Sequence, residues 1–292
     1  MAERGRTHDL LAVAAMLIAM VAFQAGASLA KQLFASVGAQ GTVTLRLAFG
    51  ALILLGVWRP WRSPLPVGAA WPIFGYGAAL AGVTFFFYMA IRTIPLGVAV
   101  ALQFTGPLAV ATLSSRRAID FLWIGLATLG VGLLLPIDGL SSPLDTGGVA
   151  FALAAAVGWG LYIILGRKAG AAGQGRAVTL GMVIAALIVA PFGVAHAGAR
   201  LADPAILPLA LAVAVLTSAL PISLEMFALV RLPGAIYGVL SSLEPAIGAI
   251  AGLLLLHERL APLQMIAMGA IMAASAGAVI THPRDPASLA VD

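Results

Sequence analysis

Ten apolar runs follow one another through almost the whole chain, at about 10–36, 41–58, 69–91, 95–114, 120–136, 147–166, 177–195, 205–229, 233–256 and 262–281. Each is close to the roughly 20 apolar residues that a helix needs to cross a bilayer. The connections are short and hold most of the glycine, proline and charge, as in "RPWRSPLP" (Arg59–Pro66), "SSRR" (Ser114–Arg117) and "GRKAGAAGQGR" (Gly166–Arg176). Only 9% of the 292 residues are charged, against about 25% in a soluble domain. So little charge cannot clothe a surface in water. In lipid, every backbone polar group must find its partner within the protein, which makes the runs helices. The expectation is an all-α membrane protein of ten transmembrane helices with no soluble domain. Arg4 and Arg6 precede the first run, and Ala25-Gly26-Ala27 mimics a signal-peptide cleavage site. Small and apolar residues continue past it to Val37, however, so a retained first span is expected.

Where the positive charge sits gives the orientation. With the N-terminus inside, the cytoplasmic segments hold Arg4, Arg6, Arg59, Arg62, Arg116, Arg117, Arg167, Lys168, Arg176, Arg231 and Arg284, eleven in all. The outer loops hold three: Arg92, Arg200 and Arg259. The positive-inside rule then places both termini in the cytoplasm. The net charge of +5 is therefore an orientation signal and no reason to expect nucleic acid as a partner. The chain has no cysteine, which excludes disulfides, thiolate metal sites and cysteine nucleophiles.

The chain repeats itself. "IPLGVAVALQFTGPLAVATLSSRRAID" (Ile94–Asp120) aligns with "LPGAIYGVLSSLEPAIGAIAGLLLLHE" (Leu232–Glu258) at a constant offset of 138. Pro95 meets Pro233, Leu102 meets Leu240, Pro107 meets Pro245 and Asp120 meets Glu258. Spans four and nine are then equivalent, and the unit is five helices. An odd unit inverts when repeated, a recurrent transporter plan with its site near the midplane between the halves. The expected halves are residues 1–140 and 141–292.

Polar residues at depth mark that site. Glu244 lies eleven residues past Pro233, about 16 Å along a helix, near the middle of a roughly 30 Å hydrocarbon layer. A charge there is rare and usually faces a cavity. Its helical neighbours are Ser241 and Gly248, with Tyr237 a turn further back. Pro245 frees the carbonyl about four residues earlier, near Ser241. The plain alternative is a proline kink with a protonated Glu bonded to another helix. Span four has a matching interruption with Gln103, Thr105 and Pro107. Span one carries Gln24, Ser28 and Lys31 on one face. Span three offers Thr84 and Tyr88, span six Trp159 and Tyr162, and span eight Thr217, Pro221 and Glu225. Singly, such residues are more often helix contacts or belt aromatics than ligand contacts. Several polar stripes together point to a wet central cavity. Lys31 and Arg46 near the outer side either snorkel or attract an anionic group at the outer mouth. Glu225 either pairs with Arg231 or guards an inner gate.

Through "QAGASLAK", "TLRLAFGALIL", "PLGVAVALQFTGPLAVATLSSRRAIDFLW", "ALPISLEMFALVRLP" and "SLEPAIGAIAG", about Phe23 to Ile280, the chain resembles the EamA branch of the drug/metabolite transporter superfamily. The resemblance implies ten helices in two inverted five-helix repeats, no ATP-binding domain, no cofactor and no metal. It implies efflux of small neutral amino acids across the inner membrane by a monomer or weak dimer, driven by proton exchange. Glu225, Glu244, Lys31 and Arg46 match positions that look fixed in the family pattern. Where this chain has Gln103 the pattern has a glutamate, so one midplane carboxylate is missing here. On this reading Glu244 takes the substrate ammonium or a proton, but not both. Gln24, Gln103, Thr105, Ser28 and Ser241 hydrogen-bond the substrate, and Tyr88, Trp159 and Tyr162 form walls. Glu225, Lys31 and Arg46 gate or couple, and Pro107 and Pro245 let the halves rock.

Two other readings use the same residues. A same-fold exporter of drugs or aromatic cations would suit Glu244 with Trp159 and Tyr162. A nucleotide-sugar carrier would need more fixed positive charge at depth. An intramembrane enzyme usually needs a general base beside a nucleophile, but His8, His196, His257 and His282 lie in termini or connections and no G-x-S-x-G occurs.

Overall fold

The structure, a computed structural model, describes residues 2–62, 65–113, 118–134, 144–170, 173–229, 232 and 240–281. Arg116, Arg117, Arg231, Pro233, Tyr237, Arg284 and the expected 140/141 boundary lie outside these residues. The described chain is almost wholly helical. In order come α1 (Ala2–Trp58), α2 (Ala70–Ala90), α3 (Leu96–Leu113), α4 (Ala118–Leu134), α5 (Thr146–Gly170), α6 (Gln174–Ala197), α7 (Leu207–Ala214), α8 (Leu220–Leu229), α9 (Glu244–Leu256) and α10 (Pro262–Thr281). Five segments are long and apolar enough to cross a membrane: Leu10–Arg62, Ala70–Ala90, Thr146–Gly170, Gly175–Ala202 and Pro262–Thr281.

Two breaks depart from the simple reading of one helix per apolar run. The first divides α1 at a single residue. Gly38 has φ 68 and ψ 175, a left-handed φ that favours glycine. A side chain there would also strike the imidazole of His196. The two arms, 2–37 and 39–58, correspond to the first two apolar runs, and the expected loop shrinks to one residue. The second break falls at the Glu-Pro pair. The expectation is a helix that carries Pro245 in its interior. Instead, a turn at 242–243 ends the preceding helical residues and α9 starts afresh at Glu244. Pro245 then sits in the first turn, where its missing N–H costs no hydrogen bond. Glu244 is the first residue of the new helix.

Between α7 and α8 the chain passes without interruption through a π-helical turn, Val215–Ala219. Pro221 explains part of it. With no N–H of its own, it leaves the carbonyl four residues back, that of Thr217, without its usual helical donor.

Small residues govern the packing. Ala27, Ala30, Ala99, Ala101, Ala152 and Ala155 are fully buried, whereas Leu52, Phe121, Leu254 and Ile266 face outward. Small residues at the contacts let helices approach closely, as in lipid-packed bundles, while Phe87, Leu33 and Leu47 fill the spaces between them. α2 lies against α5 and α6, α1 against α6, α7, α8 and α9, α3 against α5, α9 and α10, and α4 against α10. At Gly106 an added Cβ would collide with the Ala156 carbonyl of α5, and at Gly158 it would come within 2.8 Å of the Val83 nitrogen of α2. These contacts bring α2, α3 and α5 together around the face that carries Trp159.

Candidate functional site

A cavity of about 170 Å³ opens where α1, α2, α3, α5, α6, α8 and α9 converge. Its walls are mostly apolar. Met20, Phe23, Leu80, Val83, Phe87, Val100, Met182 and Ile222 all contribute. Into this setting project Gln24 and Arg46 from the two arms of α1, Gln103 from α3, Glu225 from α8 and Glu244 from α9. Thr84, Trp159, Tyr162, Thr217 and Pro221 complete the lining. The five polar or charged groups come from the two arms of α1 and from α3, α8 and α9, and meet only in the fold.

Gln24 is buried, with neither side-chain amide atom given a hydrogen-bond partner by the described residues. It lies against Gly248, whose added Cβ would stand 3.4 Å from Gln24 Oε1 and 3.3 Å from Val100 Cγ2. The absence of a side chain at 248 therefore leaves the amide its place one turn along α9 from Glu244. A buried amide without partners costs roughly 1–3 kcal/mol, so a polar ligand at this point would relieve a real penalty.

Arg46 is 7% exposed. Its Nη2 donates to the Thr217 carbonyl at 3.0 Å, the group that Pro221 deprives of a helical donor. Its Nε has no partner among the described residues. The guanidinium lies 5.3 Å from the ring centroids of both Phe23 and Tyr88, within cation–π range. Of the two expectations for this residue, snorkelling does not describe that position. Arg46 does not snorkel to a surface, and it lines the same cavity as the two glutamates.

Lys31 behaves differently. Its Nζ donates to Glu258 Oε1 at 2.6 Å, and the Leu96 N–H at the start of α3 donates to Glu258 Oε2 at 2.8 Å. Lys31 is not among the residues lining the cavity. Nor are Ser28, Tyr88, Thr105, Pro107, Ser241 and Pro245. The Ser28 hydroxyl donates to the Gln24 carbonyl (2.9 Å) and that of Thr105 to the Leu102 carbonyl (2.6 Å). Tyr88 is fully buried beside Arg46, a layer behind the wall. Trp159 meets Phe104 edge-on at 5.4 Å, and the Tyr76 hydroxyl donates to that of Tyr162 at 2.9 Å.

The apolar wall residues are the ones the sequence does not announce. A leucine facing a cavity and a leucine facing lipid read alike. Thr217 is legible as a polar residue in span eight, and the role of its carbonyl is signalled by Pro221, four residues on.

The model of the EamA-like transporter family matches residues 146–280. The chain is similar to the threonine/homoserine exporter RhtA of Escherichia coli K12, with 49% identity over 271 residues, covering 93% of this chain and 92% of the relative. It is equally similar to the threonine/homoserine exporter RhtA of Salmonella typhimurium LT2, with 49% identity over 291 residues and 99% of each chain covered. A solved crystal structure with 21% sequence identity superposes with a TM-score of 0.56 over 92% of this chain and 96% of the other, which shows a shared fold.

Proposed function

Because the chain belongs to the EamA-like transporter family, we propose that it exports small neutral amino acids, threonine- or homoserine-like, across the bacterial inner membrane. The working arrangement is ten helices in two inverted halves, with both termini cytoplasmic and alternating access between them. The exact helix count and this symmetry rest on the repeat in the sequence.

The observation that carries the reading is the cavity itself, with two carboxylates in an apolar chamber of about 170 Å³. Glu244 is the group we assign to the substrate ammonium. It and Glu225 line one chamber, so a cation entering there meets both. Two carboxylates in a low-dielectric space repel one another, and either a proton or an ammonium relieves the repulsion. Competition between the two cations for one chamber would couple export to proton entry. Gln103 adds a hydrogen-bonding wall without a charge, so this chain runs the exchange with one carboxylate fewer than the family pattern it resembles. Lys31 and Glu258 tie the first arm of α1 to the start of α3 at the expected outer end.

Counterflow in proteoliposomes tests the proposal, with and without a pH gradient, over threonine, homoserine, aromatic amino acids and a cationic dye. Threonine and homoserine should exchange, and an inward proton gradient should accelerate their exit. Accumulation of the dye in preference to all the amino acids would overturn it.

A further inference from the structure

We propose that Arg46 is the carboxylate anchor of the site, so that the cavity selects a zwitterionic α-amino acid by binding both of its charges. This rests on the amino-acid reading above and sharpens it. The cavity lining holds charges of both signs, two carboxylates and one guanidinium, and the structure forms no salt bridge between them. The one ion pair among the described residues is Lys31–Glu258, away from the cavity. A guanidinium stays charged in any protein setting. A buried one without a carboxylate partner is costly, and here its neighbours are a backbone carbonyl and the aromatic side chains of Phe23 and Tyr88. Its Nε donor is unused.

Gln24 supplies the second, independent sign. Its amide offers one acceptor and two donors, and none is satisfied. Set beside Gly248 and one turn from Glu244, it is placed so that its Oε1 can accept from an ammonium and its Nε2 donate to a carboxylate. One ligand chemistry meets all of these demands together: a small molecule with an ammonium and a carboxylate on one carbon. A monovalent organic cation would satisfy the glutamates and leave Arg46 and the Gln24 donors unpaired, which disfavours it.

The anchor is built by backbone chemistry on another helix. Pro221 has no N–H to give the Thr217 carbonyl, which lies within the π turn, and Arg46 donates to it at 3.0 Å. Thr217 and Pro221 are thus positioning residues for the guanidinium.

The test uses the full chain in proteoliposomes loaded with radiolabelled threonine. Threonine, threonine methyl ester and threoninol compete for exit, and a thermal-shift series with the same three compounds runs in parallel. In the wild type, threonine should compete and stabilise, and the two compounds without a carboxylate should do so at least about 10-fold more weakly. Arg46→Gln should weaken threonine by about 10- to 100-fold and leave the ester and the alcohol where they were. Arg46→Lys should recover part of the loss. Equal competition by ester and threonine in the wild type overturns the proposal, even if no Arg46 variant folds. So does an Arg46→Gln protein that is weakened equally toward all three. If threonine neither exchanges nor stabilises while a cationic dye does both, the amino-acid reading itself has failed, and the anchor with it.

Discussion

The described part of the molecule holds two sets of buried or half-buried charges, and they are arranged in opposite ways. At one end Lys31 and Glu258 meet at 2.6 Å, and the spare carboxylate oxygen accepts the first N–H of α3. Every charge in that group has its counterpart in the protein. In the cavity, Arg46, Glu225 and Glu244 share one chamber with no salt bridge among them, next to an amide with nothing to bond. The first set is complete without a ligand. The second has no such pairing, and on the reading proposed above a substrate supplies it. Charge is scarce in this chain, so the proposal assigns the paired set to the fold and the unpaired set to the substrate.

The contrast can be broken by experiment. If it is right, cavity substitutions abolish transport and spare stability, and substitutions at the Lys31 end do the reverse. The largest effect is expected from Glu244→Gln. Counterflow of threonine should fall about 100-fold or more, the scale of losing one buried charged contact, and its pH dependence should flatten. The thermal midpoint in detergent should stay level or rise, because an unpaired buried charge has been removed. A variant that exports at the wild-type rate with the same pH profile would show that Glu244 has no part in exchange. Glu225→Gln should act next, reducing exchange about 10-fold and shifting the pH of half-maximal export. An unchanged profile would place Glu225 outside the coupling.

At the paired end, Glu258→Gln removes the charge that Lys31 faces and keeps one acceptor oxygen, so Lys31 and the Leu96 N–H no longer each have an oxygen of their own. Stability should drop by about 1–2 kcal/mol, read as a lower thermal midpoint, with the apparent affinity for threonine unchanged. A large loss of affinity would erase the distinction between the two sets. The smallest effect is expected at Asp145. It is exposed, and it caps α5 by accepting from the Gly148 N–H at 2.6 Å and from the Thr93 hydroxyl at 2.8 Å. The Thr93 hydroxyl and then the Gly148 N–H hold its carboxyl below the ordinary aspartate range. A lowered value means that the cap contributes above that range and is lost as pH falls through it. Asp145→Asn should therefore lower the midpoint slightly at neutral pH, and the gap should close in strong acid.

Much of this could be read from the chain because ionisable and amide groups stand out in apolar runs. Glu244, Gln24, Gln103 and Glu225 declare themselves by cost, and all four line the cavity. Arg46 is legible as a residue inside a span, but not by position along it. Its long side chain and a freed carbonyl on α8 decide where the charge rests. Lys31 reads as a member of the Gln24 and Ser28 stripe. The partner that removes it from the cavity lies 227 residues away, and no local pattern signals that. The helix break at Glu244 is legible in Pro245. That α9 begins there, rather than bending there, depends on how the chain enters the turn at 242–243. Tyr88 illustrates the remaining limit, since a tyrosine one layer behind a wall and one within it share the same sequence signature.

The three charges in the cavity also set its electrical behaviour. Two of them can be neutralised by protons and one cannot. With both carboxylates ionised, a chamber holding a zwitterion carries one net negative charge. With one proton and no substrate it carries none. If one proton enters for each amino acid that leaves, the interior-negative membrane voltage acts on the loaded passage and leaves the return nearly untouched. Moving one elementary charge through 100 mV is worth about 2.3 kcal/mol. Export from voltage-clamped vesicles should therefore quicken with interior-negative potential, and the recycling step should not.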